Sequence, residues 1–207
     1  MSVENPPQSR NEPSNEERTA QRKSQRMLLL IAAVCIAPFI ASFTLYYFWQ
    51  PSGRVNYGEL VEGVTLPAGS LALTGSNKPF DLTQLRGRWV FVTVDSGACD
   101  DYCQKKLWKI RQVRMTQGKY LERIERLWLV NDAQAVAATL VKEYDGTWIA
   151  AAQDHAVLKI FPYRDAQRDH IYLVDPLGNV VLRYPKDADP SLMKKDLTRL
   201  LKVSRIG

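Results

Sequence analysis

The sequence predicts an α/β domain tethered to a membrane by one N-terminal helix. Three observations predict it: 23 uncharged residues from Met27 to Trp49, an apolar run at Val90–Val94 that leads straight into a helical segment, and alternating strand-like and helix-like segments beyond it. At 207 residues and 45% apolar content, the chain is long enough for a tail, a span and one globular core.

Residues 1–26 are rich in Pro, Ser, Asn, Gln, Glu and Arg and nearly devoid of large apolar side chains, the composition of a disordered tail. Residues 27–49 then supply enough helix to cross a bilayer, with Tyr46, Tyr47, Phe48 and Trp49 as an aromatic belt at the far end. The run is too long for a signal-peptide core and no small-x-small cleavage pattern follows it. Pro38 is expected to kink the helix and Cys35 to be an inert filler within it. Arg10, Arg18, Arg22, Lys23 and Arg26 precede the span and only Arg54 follows closely, so the positive-inside rule puts the tail in the cytoplasm and the large domain outside it. Residues 50–69, punctuated by Pro51, Gly53, Gly58, Gly63 and Pro67, read as a linker to a domain at 70–207.

That domain opens with a hairpin, Leu71–Thr74 and Phe80–Leu82 around Gly75-Ser76-Asn77. The β-branched and aromatic residues Val90, Phe91, Val92, Thr93 and Val94 lack polar alternation, which is the pattern of a strand buried on both faces. Residues 95–98 turn the chain, and Asp100–Arg114 has helical composition with an apolar stripe at Leu107, Trp108, Ile110 and Val113. A second strand is expected at Arg126–Val130 and a helix from an Asn131-Asp132 cap to Tyr144. A short strand follows at Trp148–Ala152, then an apolar helical segment at His155–Phe161. His170–Tyr184 is a β-hairpin around Asp175–Asn179, and Leu192–Val203 is an amphipathic helix with Leu192, Met193, Leu197, Leu200 and Leu201 inward. Strand, helix, strand, helix, hairpin, helix is the order of a thioredoxin-like domain.

The chemistry concentrates where the buried strand meets its helix. Cys99 and Cys103 stand at the mouth and first turn of that helix, and a spacing of four gives them one face. Two sulfurs so placed can form a disulfide or close on one soft metal ion, and the unpaired N–H groups of a helix start favour the thiolate that both uses require. Packing is the alternative, since cysteine is among the most buried residue types. Asp100, Asp101 and Gln104 around the pair suggest a polar rim instead. The run Lys105, Lys106, Lys109, Arg111 and Arg114 reads as a solvated helix face that can steer an acidic partner. The net charge is only +6 and no recognition motif accompanies the run, so nucleic acid is not an expected partner.

The membrane span, the hairpin leading to LRGRWVFVTV, the C-x-x-x-C at a strand–helix turn, and Asp169-His170 before YLVDPLGNVVLRY together resemble the Sco (SenC) family of cytochrome c oxidase assembly proteins. The resemblance spans about two thirds of the chain, from Ser70 to Val203. It implies a copper site made by Cys99, Cys103 and His170, with Asp101 as the acidic residue between the cysteines. It also implies cytochrome c oxidase subunit II, or another copper-assembly protein, as partner, in an inner-membrane protein whose domain faces the periplasm. The family usually has proline after each cysteine, where this chain has Asp100 and Gln104, and an aromatic-threonine lead, where it has residues 95–98. Two thiolates and an imidazole suit Cu(I) and tolerate Cu(II), while a structural zinc site normally wants a fourth protein ligand. Asp169 is placed to orient the His170 ring, and His155 reads as structural. A thiol–disulfide oxidoreductase in which Cys99 attacks and Cys103 resolves, and a scaffold with a degenerate site, are the other two readings.

Overall fold

A computed structural model describes residues 15–48, 56–61, 63–74, 79–162 and 164–206. It falls into two compact units, residues 1–53 and 54–207.

Among the described residues the first unit is one helix, α1 (Asn15–Phe48), with Pro38 inside it. Within it, Gln25–Phe48 is long and apolar enough to cross a membrane. Residues 15–26, expected to be disordered, form its first turns. The reason is cooperativity: extending an existing helix through Glu, Arg, Ala, Gln and Lys costs far less than nucleating one. Residues 1–14, Trp49 and the Gly75-Ser76-Asn77 turn lie outside the described residues.

The second unit is built on one eight-stranded sheet, comprising β1 (Glu59–Leu60), β2 (Ser70–Leu73), β3 (Pro79–Asp81), β4 (Trp89–Asp95), β5 (Ile124–Val130), β6 (Trp148–Ala151), β7 (Ile171–Val174) and β8 (Val180–Tyr184). Their order across the sheet is β1-β8-β7-β4-β5-β6-β2-β3. Central β4 runs parallel to β5 and antiparallel to β7. All seven of its residues are buried because a core lies on each face. Phe91 packs on one face with α2 (Asp101–Met115) and α4 (Pro190–Val203), whereas Val90, Val92 and Val94 pack on the other with Phe80, Phe161 and Tyr172. This is the predicted thioredoxin-like architecture with its N-terminal hairpin.

Four local expectations give way to tertiary context. The segment read as a linker enters the domain by Tyr57: β1 pairs with β8, Thr65 bridges to Asn179 and Leu66 is buried. The helix expected from Asn131 shrinks to α3 (Ala138–Glu143), because the Asp132 carboxylate accepts from the backbone N–H groups of Gly97 and Gln134. Trp108 is 52% exposed and Lys106 only 3%, so these two positions exchange the roles that periodicity assigns them. Leu192, at the start of α4, is exposed as well.

Candidate metal and dithiol site

The buried end of β4 sets the position of the site. Thr93 pairs with Ile171 in the antiparallel β4–β7 register. The chain leaving β4 through Ser96–Cys99 and the chain entering β7 through Arg168–His170 therefore emerge side by side at one end of the central strands. Strand pairing thus brings residues about seventy positions apart in sequence to the same end of the sheet.

Within the cysteine turn, three residues that depart from the Sco pattern have a structural use. Asp100 is the N-cap of α2, and its carboxylate accepts the Cys103 N–H at 3.0 Å, a bond that proline could not make. The Gln104 side chain donates to the Cys99 carbonyl at 3.1 Å and closes the turn from the other side. Gly97 is required because the 132–134 loop presses against it: a Cβ there would lie 1.9 Å from the Gln134 carbonyl oxygen. Cys99 itself adopts a left-handed conformation, φ 41°, which for a non-glycine residue costs of order 1–3 kcal/mol and tends to mark functional turns.

Cys99 and Cys103 are joined by a disulfide. Both belong to the α2–α4 core, at 2% and 1% exposure, and not to the polar rim expected from their neighbours. Asp101 is the part of the first turn that faces solvent.

His170 is half-buried, and its Nδ1 lies 2.9 Å from the Tyr184 carbonyl oxygen. A carbonyl can only accept, so Nδ1 carries the proton, and Nε2 is the nitrogen that holds the lone pair whenever the ring is neutral. That is the arrangement of a metal-binding histidine, except that the orienting group is the Tyr184 carbonyl, whereas the Asp169 carboxylate pairs with Lys186 at 3.2 Å. The expected trio is not assembled as ligands here: among the described residues, no three His, Cys, Asp or Glu side chains form a group able to hold a metal. In the disulfide the two sulfurs are bonded to each other and carry no thiolate charge. Reduction restores two soft donors, and with an imidazole these fit Cu(I). His155 serves the backbone, its Nδ1 accepting from the Val157 N–H at 3.1 Å.

Beneath the turn lies a charge cluster that periodicity conceals. Asp95, wholly buried at the end of β4, pairs with Lys106 at 2.7 Å and with Arg168 at 2.8 Å, and it accepts from the Ser96 N–H. Arg168 also pairs with Asp100. Burial pushes the Lys106 ammonium below its ordinary pKa, with Asp95 opposing the shift. The hydrogen bond from Arg168, helped by the Cys103 N–H, holds the Asp100 carboxyl below its ordinary value. Tyr102, between the two cysteines, donates from its hydroxyl to the Asp169 carbonyl at 3.1 Å. One sequence signal could have exposed this cluster: a carboxylate, Asp95, closing an otherwise apolar buried strand demands a cationic partner.

The solved structures most like this one include yeast Sco1 with copper bound, which is 20% identical, with a TM-score of 0.56 over 69% of this chain and 96% of that one. Yeast Sco1 in a second structure is 19% identical, with a TM-score of 0.58 over 70% and 98%. A putative protein disulfide isomerase from Bacteroides thetaiotaomicron is 18% identical, with a TM-score of 0.54 over 72% and 95%. The Sco resemblance seen in the sequence is thus matched in the fold, which the disulfide isomerase shares. No curated protein matches the chain in sequence. Residues 89–204, more than half of the chain, match the transmembrane-like, thioredoxin-like, C-terminal domain family, and the chain belongs to it.

Proposed function

We propose that this protein is a membrane-anchored copper-binding assembly factor. In the reduced state the thiolates of Cys99 and Cys103 and the Nε2 of His170 bind one Cu(I) as cargo, and the disulfide is the metal-free state. Copper passes to the binuclear centre of cytochrome c oxidase subunit II, or to another copper-assembly protein, by stepwise replacement of the three ligands. The residues around 27–49 hold the domain on the periplasmic side of the inner membrane, in the orientation favoured by the cationic flank at Arg18–Arg26.

The observation that carries this reading is the β4–β7 register, which brings the His170 loop to the same end of the sheet as the cysteine turn. The Tyr184 carbonyl adds the tautomer that ligation needs. The shared fold with copper-bound yeast Sco1 supports it further. Copper bound to the reduced full-length protein should approach one ion per chain, be lost in Cys99→Ser and Cys103→Ser, and be held by the two thiolates alone, at much lower affinity, in His170→Ala; unchanged copper in all three variants ends the reading.

The disulfide itself favours a second reading, a thiol–disulfide oxidoreductase. Here the reduced Cys99 thiolate attacks a substrate disulfide, releasing one substrate thiolate, and the Cys103 thiolate then displaces the second from the mixed disulfide. Two electrons reach the substrate and the Cys99–Cys103 bond re-forms. This chemistry does not use His170. Trapping of a mixed disulfide by Cys103→Ser, with exchange intact in His170→Ala, distinguishes it from copper handling.

A further inference from the structure

Three bonds tie the first turns of α2 to the segment that ends at His170, and none of them involves a cysteine or the imidazole. The Tyr102 hydroxyl donates to the Asp169 carbonyl at 3.1 Å. The Lys106 ammonium donates to the Arg168 carbonyl and, at 3.3 Å, to the Val94 carbonyl, while pairing with Asp95 at 2.7 Å. The Arg168 guanidinium spans from Asp95, at the buried end of β4, to Asp100, the cap of α2. Residues 164–169 cannot hold this position through regular helical bonding, because the 3₁₀ turn there breaks at Ala166. Gln167 ties the segment to Leu158 and Phe161 on its other side, at 2.6 and 3.0 Å, away from the cysteine helix.

A lysine buried to 3% exposure is an expensive way to pack a helix, since removing an ammonium from water costs several kcal/mol unless its partners restore it. Here those partners are Asp95 and main-chain carbonyls of β4 and of the His170 segment. The cation therefore joins the strand that feeds the cysteine turn to the segment that carries the histidine.

We infer that Tyr102, Lys106 and Arg168 are positioning residues: they clamp the main chain before His170 to the cysteine helix and so set where the imidazole stands relative to the two sulfurs. This inference rests on the copper-binding reading for its consequence and on the clamp geometry for its structure. Tyr184 fixes the rotation of the ring, and the clamp fixes the place of its backbone. Neither Tyr102 nor Lys106 is a ligand, so their effect on copper runs through His170.

The test uses the full-length protein in detergent, reduced, with Cu(I) affinity measured by competition against a chromophoric chelator. Lys106→Met should weaken Cu(I) binding about 10–100-fold, the usual effect of losing an outer-shell partner. Tyr102→Phe, which deletes one hydroxyl and leaves the core intact, should weaken it roughly fivefold, as expected for one neutral hydrogen bond. In a His170→Ala background both effects should vanish, because no imidazole remains to position. General damage to the fold would lower affinity equally in both backgrounds, and that result overturns the inference.

Amide exchange of the metal-free reduced protein gives the second readout. Exchange at residues 168–171 should accelerate about tenfold in Lys106→Met and severalfold in Tyr102→Phe, with β5 unchanged. If the wild-type protein binds no Cu(I), the functional reading fails and exchange alone decides the clamp; unchanged exchange at 168–171 overturns it. Should Lys106→Met fail to fold, Tyr102→Phe decides both readouts.

Discussion

Gly97 shows how little freedom a single position has at this site. A methyl group there would meet the Gln134 carbonyl at 1.9 Å, and the obstacle is backbone, not a side chain able to swing aside. Gly97→Ala should therefore cost about 1–3 kcal/mol, the range for a forced local shift, read as a lower urea midpoint with an unchanged slope. Asp100 makes a prediction of the opposite kind, in pH. Arg168 and the Cys103 N–H hold its carboxyl below the ordinary 3.8 in the folded protein, so the folded state stays ionised after the unfolded chain begins to take up protons. The stability it supplies is present above 3.8 and is lost as pH falls through the lower folded value. Asp100→Asn keeps a capping side chain but removes this titration, so its Tm should fall less steeply than wild type below pH 4. A residual acid slope remains from Asp132. Burial pushes that carboxyl up, but bonds from the Gly97 N–H, the Ser96 side chain and the Gln134 N–H outweigh it and hold the value low.

Among the elements, those legible in the sequence were the ones decided by local periodicity, and those missed were decided by a partner far along the chain. β4, β5 and the β7–β8 hairpin declare themselves because both-face burial imposes an apolar run and Asp175–Asn179 imposes a turn. The cysteine pair and His170 were likewise legible as candidates, since their spacing and their place beside strands are local facts. The clamp was not, because Lys106 can be buried only where Asp95 and the Arg168 carbonyl meet it. Helical spacing alone assigns Lys106 to solvent and Trp108 to the core, whereas the reverse holds. The segment at 57–66, which its Gly and Pro residues mark as linker, joins the domain for the same reason. Its anchor, Asp196 on α4, lies 139 residues from Tyr57 and accepts the N–H groups of Tyr57 and Gly58 at 3.1 and 2.9 Å. Asp196 is itself buried, so Asp196→Ala leaves donors without an acceptor and should cost about 1–3 kcal/mol. Amide exchange should locate the loss at Tyr57–Leu60 and its β8 partner, leaving the cysteine turn protected.

On the scale of the whole molecule, redox state and folding are linked through two sulfurs, the copper-binding reading adds a metal to that linkage, and the linkage can be measured without knowing the partner. Closing a loop as short as Cys99 to Cys103 restricts the unfolded chain by about 2 kcal/mol. Reduction should accordingly lower the Tm of the domain by roughly 4–8 °C. A Cu(I) ion that binds the folded, reduced state and not the unfolded one stabilises by mass action, about 2.7 kcal/mol at a hundredfold excess over Kd. The reduced protein should then recover its Tm in Cu(I), while the disulfide form, whose sulfurs are already bonded to each other, should gain nothing. The two readings of function part at this point: a copper carrier shows the recovery and loses most of it in His170→Ala, whereas a dithiol oxidoreductase that makes no use of copper shows the reductive drop alone, with or without His170. Calorimetry on four samples, oxidised and reduced, each with and without Cu(I), decides between them.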